Sequence, residues 1–262
     1  MTGLRPLSAV FSEERDWLTG FIADQPILSL YFEATLEDLS RGVDNRLVLI
    51  GRQRRGFILG FAFDTSDVFT AFGDLAEDEL KTVSNRPGRA EICGGSEIVD
   101  RVRRHCCARF DGIFGMRVYR CETMRYPSID QGCRRLTIAD LPAAAAFYAA
   151  HYPQTVFSAW MLNLPFLARF EGNQIIAAAG ALAVSRKHRW SIIGNFLTDP
   201  AWRGKGLAKA LGRTLLSALK SDGIDHAALV TTDENQAAWG VYESLGFRLA
   251  ERWVQLDLKS TN

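Results

Sequence analysis

Six residues in the last third of this chain, Arg203-Gly204-Lys205-Gly206-Leu207-Ala208, constrain its fold more than any other segment. Two glycines one residue apart weaken any strand or helix running through them. Leu207, Leu211 and Leu215 then recur at i, i+4 and i+8 and give one apolar helical face. A glycine-rich loop therefore opens an amphipathic helix. The first turn of such a helix leaves N–H groups without partners and carries the positive end of its dipole. Glycines let an anion come close to those groups, and Arg203 and Lys205 add positive charge beside them. The segment reads as a cradle for a pyrophosphate, although Gly-Lys-Gly by itself also suits a plain turn.

Its neighbours narrow the choice. An apolar strand, Ile192–Thr198, precedes the loop and is broken by Asp199-Pro200. A second strand follows the helix at Ala227–Thr231. A further helix begins near Asn235, with Ala238, Val241, Tyr242 and Leu245 on one face and Gly246 as its C-terminal stop.

Together these elements resemble the GNAT superfamily of acyl-CoA N-acyltransferases. Arg203-Gly204-Lys205-Gly206-Leu207-Ala208 agrees with the family's R/Q-x-x-G-x-G/A signature. Asn235-x-x-Ala238-x-x-x-Tyr242-x-x-x-Gly246-Phe247 agrees with its second one. The resemblance extends over about Leu136–Leu258. It implies an α+β fold for that half, a mixed, largely antiparallel sheet flanked by helices, in which the strands at Trp190–Thr198 and Ala227–Thr231 splay apart. It also implies acetyl-CoA as co-substrate, with no metal. Backbone groups of Phe196, Leu197 and Thr198 would pair with its pantetheine arm like an added strand. Arg203 to Ala208 would hold its phosphates.

The chemistry implied is direct attack of an amine on the thioester. Tyr242 is the candidate acid for the departing thiolate, and a buried core aromatic is the alternative reading of the same residue. Asn235 either hydrogen-bonds the cofactor arm or caps its helix. A backbone N–H of Phe196 or Leu197 is the candidate oxyanion donor. The strand position where the family often carries a carboxylate base holds Asn195 or a neighbour. Glu171, Asp199, Asp233 and Glu234 are nearby, but a solvated turn explains Glu171 and the proline bend explains Asp199, so the proton acceptor is either a side chain or water. His105, His151, His188 and His226 lack metal-ligand spacing. Phe157, Trp160, Met161 and Phe166 either line an acceptor pocket or pack in the core. A binding module that holds acyl-CoA without turnover is the rival function.

The first half runs helix, strands, helix, strand, as the second does, but carries no R-x-x-G-x-G/A match. A helix covers residues 12–40 with Ser12 as cap. Strands follow at Arg46–Gly51, Gly56–Phe63, Asp67–Phe72 and Arg89–Cys93, with a helix at Leu75–Val83 among them. Gly94-Gly95-Ser96 opens another helix over Glu97–Cys107, with Ser96 as a plain cap, and a strand covers Gly115–Met124. Pro127, Asp130 and Gly132 mark the linker. Two GNAT-like sheets in tandem are therefore expected, residues 1–130 as a divergent unit without the cofactor motif and residues 131–262 as the transferase unit. This order resembles the glycine N-acyltransferase-like branch. The first unit is then free to cover the acceptor cleft or to form a homodimer face. A net charge of +1 excludes a strongly basic, nucleic-acid-binding chain. The odd count of five cysteines, without Cys-x-x-Cys, points to a reducing, cytoplasmic setting, and Cys106-Cys107 reads as two buried small residues. The longest apolar run, Ile175–Val184, is too short to span a membrane, and no signal peptide precedes Val10. The acceptor is a small-molecule or peptide amine.

Overall fold

The computed structural model describes residues 3–22, 35, 46–62, 66–105, 109–122, 130–153, 155 and 157–260. Its strands are β1 (Arg5–Pro6), β2 (Arg46–Ile50), β3 (Gly56–Ala62), β4 (Asp67–Gly73), β5 (Ala90–Gly94) and β6 (Phe110–Cys121) in the first half. The second half contributes β7 (Cys133–Arg135), β8 (Phe166–Glu171), β9 (Gln174–Ser185), β10 (Trp190–Thr198), β11 (His226–Thr232) and β12 (Arg248–Leu258). Helices α1 (Leu7–Ile22), α2 (Glu77–Ser84), α3 (Ser96–His105), α4 (Leu141–His151), α5 (Leu207–Ser221) and α6 (Gln236–Ser244) flank them. Among the described residues none is long and apolar enough to cross a membrane. The first helix begins at Leu7, so Ser12 lies inside it and does not cap it. Most of the expected helical stretch beyond Ile22, Pro127 of the linker and the Cys106-Cys107 pair fall outside the described residues.

The expected α+β architecture is present, and its two sheets are continuous. They form one 12-stranded sheet in the order β1-β2-β3-β4-β5-β12-β6-β11-β10-β9-β8-β7. The last strand of each half is exchanged into the other. β6 of the first half pairs antiparallel with β11, Thr232 opposite Met116 and Ala227 opposite Cys121. β12 of the second half pairs antiparallel with β5, Leu258 opposite Ala90 and Val254 opposite Gly94. β6 and β12 then lie side by side from Arg248–Arg120 to Leu258–Phe110. Their lengths, 12 and 11 residues, let each serve two partners.

Burial follows the pleat. In β9 Ala177, Ala179 and Ala181 join Leu211, Leu215 and Leu219 of α5 and Leu245 in one core. Ala178, between them, joins Ala144, Phe147 and Tyr148 of α4 on the opposite face. Alternate side chains point to opposite faces of a strand, so one alanine-rich strand supports helices on both. In the first half Leu80 and Val83 of α2 and Ile98, Val99 and Val102 of α3 pack on Phe69, Ile92, Leu256 and Leu258. The last two arrive from the exchanged β12. The guanidinium of buried Arg46, on β2, lies 4.3 Å from the Phe61 ring centroid and 5.2 Å from that of Trp160, a second-half residue. The halves therefore meet through side chains as well as through the ladder.

Where β5 meets β12, Glu91 stands directly opposite Asp257. Burial, and after it the neighbouring Asp257 carboxylate, push the Glu91 carboxyl up to about 7. Burial also raises Asp257.

Two outcomes follow from this arrangement. Because each half lends a strand to the other, the intact chain should melt in one cooperative transition, and residues 131–262 expressed alone should aggregate or associate through the uncovered edge of β11; two well-separated calorimetric transitions, or a stable isolated monomer, would contradict the exchange. Glu91 binds its proton more tightly folded than unfolded, so its contribution is fully present below about pH 4.5 and is lost as pH rises through about 7. The loss is no more than about 3 kcal/mol. The wild type should therefore lose thermal stability between pH 5 and 7.5 more steeply than Glu91→Gln; parallel curves would refute that assignment.

Candidate functional site

The glycine-rich loop lies where the strand–helix reading puts it. β10 ends at Thr198, and Asp199 turns the chain by accepting a hydrogen bond from the Ala201 N–H at 2.9 Å. A short 3-10 turn, Pro200–Trp202, leads to Arg203, whose Nε donates to the Thr198 carbonyl at 3.3 Å. Gly204 and Gly206 then adopt φ values of 77° and 74°, in the left-handed region. A side chain at either would cost about 1–2 kcal/mol, which accounts for both glycines. Gly206 occupies the N-cap position of α5 without a side chain to satisfy the first-turn amides. No atom stands within 4 Å of the place a Cβ would take at Gly204 or Gly206, and Arg203 to Gly206 are exposed. Leu207 and Ala208 are half-buried at the start of the helix, and Lys205 rests its ammonium 4.1 Å from the Trp202 ring centroid. The front of α5 is thus open and fringed by two cations, a suitable cradle for linked phosphates.

The strands part beside it. β10 and β11 run parallel and are paired only at Trp190–His226, Ser191–Ala227 and Ile192–Ala228. Beyond Ile192, β10 holds to β9 alone, with a register shift between Gly194 and Leu197 where Asn195 takes φ 54°. The Asn195 carbonyl accepts the Tyr148 hydroxyl at 2.6 Å, which ties the bulge to α4. Phe196, Leu197 and Thr198 therefore run half-buried along one wall of an opening whose other wall is the end of β11. The corresponding parallel pair of the first half is zipped shut: β4 and β5 stay in register through Ala71–Gly94. A Cβ at Gly94 would come 2.8 Å from the Ala71 carbonyl oxygen. The first half thus lacks the loop motif, and its described parallel pair, β4 and β5, does not part in this way.

Tyr242 spans the opening in the second half. It is 6% exposed, with its ring 5.6 Å from Phe196 on β10 and 6.3 Å from Phe247. Burial pushes its hydroxyl up to about 12, an effect that the Thr231 side chain partly offsets. The apolar core and the site thus share this residue: its ring belongs to the core, and its hydroxyl is directed to Thr231 at the end of β11. Asn235 occupies the N-cap position of α6 but makes no side-chain cap; its Nδ2 donates to Thr231 Oγ1 at 3.1 Å. Thr231, which joins the two motif residues, carries no motif of its own and is visible only as the last apolar-run position before Thr232.

Among the described residues no carboxylate joins them. Asp233 is held by Arg117 at 2.6 Å and by Arg252 at 3.3 Å. Asp199 shapes its turn, Glu171 is exposed at the β8–β9 hairpin and Glu234 is exposed. His151 lies 3.8 Å from Asp199, and His226 stacks on Trp190 at 4.8 Å. The aromatic stretch before β8 packs into the core: Phe157 stacks on Tyr148 at 4.8 Å, and Met161 and Phe166 are 1% and 0% exposed.

Comparison with known proteins agrees with this geometry. Residues 133–247 match the model of the acetyltransferase (GNAT) family. The chain is 34% identical over 80 residues to human N-acetyltransferase 8B, which covers 29% of this chain and 35% of that protein. It is 39% identical over 66 residues to the glucosamine 6-phosphate N-acetyltransferase of Trypanosoma brucei brucei, 25% of this chain and 43% of that protein. The chain thus spans less than half the length of these curated relatives. A solved Drosophila protein shares the fold along almost the whole length, with a TM-score of 0.73 over 98% of this chain and 99% of the other at 14% identity. An open loop at the front of α5, a parted parallel strand pair and the segment similar to the acetyltransferase (GNAT) family thus coincide within residues 133–247.

Proposed function

We propose that the second half, residues 131–262, is an N-acyltransferase unit that takes acetyl-CoA and passes its acyl group to a primary amine of a small molecule or peptide. The observation that carries this reading is the gap between β10 and β11 opening beside the unobstructed start of α5. The names of the two curated relatives, both N-acetyltransferases, support it. The free thiols of Cys93, Cys121 and Cys133 support a reducing, cytoplasmic setting.

The residues present fit an acyl-coenzyme A. Arg203, Lys205 and the amides from Gly206 to Ala208 would hold its linked phosphates, and the exposed edge of β10 at Phe196–Thr198 would pair with its amide-rich arm. Bound there, it supplies a thioester carbonyl and a thiolate leaving group. An amine with an ordinary pKa near ~10 must lose a proton to attack. With Asp233 paired to two arginines, water takes that proton. A backbone N–H of Phe196 or Leu197 stabilises the charge that develops on the carbonyl oxygen. Tyr242, whose hydroxyl stays protonated well above neutral pH, gives its proton to the departing sulfur. Thr231, which accepts a hydrogen bond from Asn235, lies beside that hydroxyl.

The missing carboxylate favours a second reading, an acyl-CoA-binding module without turnover. Thiol release from acetyl-CoA that accelerates with an added primary amine separates the two; binding without such release supports the module.

Arg203→Ala and Gly206→Glu should each weaken coenzyme A binding by at least about tenfold, measured by calorimetry on protein with an unchanged far-ultraviolet spectrum. Equal affinities would eliminate the cradle. Tyr242→Phe should lower the maximal rate of amine-dependent thiol release by about a hundredfold and leave coenzyme A affinity nearly unchanged. If the rate survives, Tyr242 serves packing alone.

A further inference from the structure

The first half has a hollow of its own, of about 470 Å³, where the end of β4, the start of α3 and the exchanged β12 meet. Its inner lining is apolar. Ala71, Ile98 and Trp253 are buried, and Phe72 stands edge-on to Trp253 with ring centroids 6.0 Å apart. Its rim is charged and carries the exposed carboxylates of Asp74, Glu97 and Glu251 together with Arg101. A cavity of this size takes a small molecule, and its few polar groups select which.

The cation on the rim is already committed. Arg101 donates to Glu77 at 2.8 Å and to the Leu75 carbonyl, and it lies 3.6 Å from Asp74. Glu97 and Glu251 have no cationic partner among the described residues. Glu97 complements the dipole of α3 from its first turn, but Glu251 lies on a strand, where no dipole accounts for it. Glu251 accepts the Trp253 indole N–H at 3.0 Å, which fixes a carboxylate beside the ring. The adjoining helix repeats the sign. α2 follows β4 as α5 follows β10, and its first turn carries Glu77, Asp78 and Glu79. Glu79 takes the Ala76 amide at 2.8 Å and the Arg52 amide at 2.7 Å. Where the second half presents Arg203, Lys205 and open amides, the first half presents carboxylates and amides already taken. That surface repels an anion, acyl-coenzyme A included. It suits a cation with an apolar body, because carboxylates and aromatic faces both attract positive charge.

We infer that this hollow binds a small alkylammonium ion, its ammonium at Glu97 and Glu251 and its alkyl stem against Ile98 and Trp253. The site gives the first half a ligand of its own and does not depend on acyl transfer in the second. Two of its residues, Glu251 and Trp253, arrive on the second half's last strand, so the exchange of β12 completes it. The same strand fixes its place in the sheet. Trp253 stands opposite Met116 of β6, and Met116 stands opposite Thr232 at the end of β11. Two strand spacings, roughly 10 Å, therefore separate Trp253 from the wall of the second half's gap.

The experiment is a calorimetric titration of the full chain with n-butylammonium chloride at pH 7 and fixed ionic strength, with n-butanol and sodium butyrate as controls. The ammonium ion should bind saturably, and the alcohol and the carboxylate should not. The double variant Glu97→Gln, Glu251→Gln keeps the shape of the rim and removes its free charge, and it should weaken this binding about tenfold. Gly95→Leu should weaken it as much by filling the hollow with every carboxylate left in place, since no atom stands within 4 Å of a Cβ there. Both variants should keep the wild-type far-ultraviolet spectrum. No saturable ammonium binding, or equal binding of n-butanol, would overturn the site. So would undiminished binding by either folded variant, which would put the amine elsewhere, at the second half's gap for example.

Discussion

The ladder between β6 and β11 is the contact on which the rest of the molecule depends. Backbone hydrogen bonds from Met116–Thr232 to Cys121–Ala227 couple a strand of one half to the strand that walls the gap of the other. A sheet edge with unpaired N–H and C=O groups is a liability, and β11 has such an edge because it parts from β10. Covering its other side with β6 keeps β11 straight while the gap stays open. Reciprocal use of β12 on β5 does the same for the first half, and neither half keeps its own last strand.

This coupling explains how two halves of similar element order have come to differ. Each has a parallel strand pair followed by helices. In the first half the pair stays joined through Ala71–Gly94, with Gly94 close against the Ala71 carbonyl, and the hollow lined by Ala71, Gly73, Gly95, Ile98 and Trp253 lies beyond that last pair. In the second half the pair is joined over three residues, and the bulge at Asn195, tied to Tyr148, turns β10 away. Backbone groups that a closed ladder would satisfy internally are left for a ligand to satisfy. The division of labour follows from that difference in strand pairing.

Local chemistry was readable in the chain. Positive φ at Gly204 and Gly206 follows from their place before an apolar-striped helix. Tyr242 was readable as either an acid or a core aromatic, and in the fold its ring packs in the core while its hydroxyl lies beside Thr231. The aromatic cluster at Phe157, Met161 and Phe166 was equally open and proves to be core. Asn235 was read as either a ligand group or a cap, and its side chain donates to Thr231 and does not cap the helix.

By itself the sequence determined where the glycine-rich loop opens a helix and which face of that helix is apolar. These depend on neighbours three or four positions apart, and helical and strand periods record such relations directly. Only the tertiary structure decided that β6 and β12 change places, that the first half's gap is closed, and that Tyr119 and Arg117 stand beside Tyr242 and Asp233. A strand's alternation says which face a residue occupies but not which strand will lie alongside it. That choice is made by hydrogen-bonding edges brought together from opposite ends of the chain.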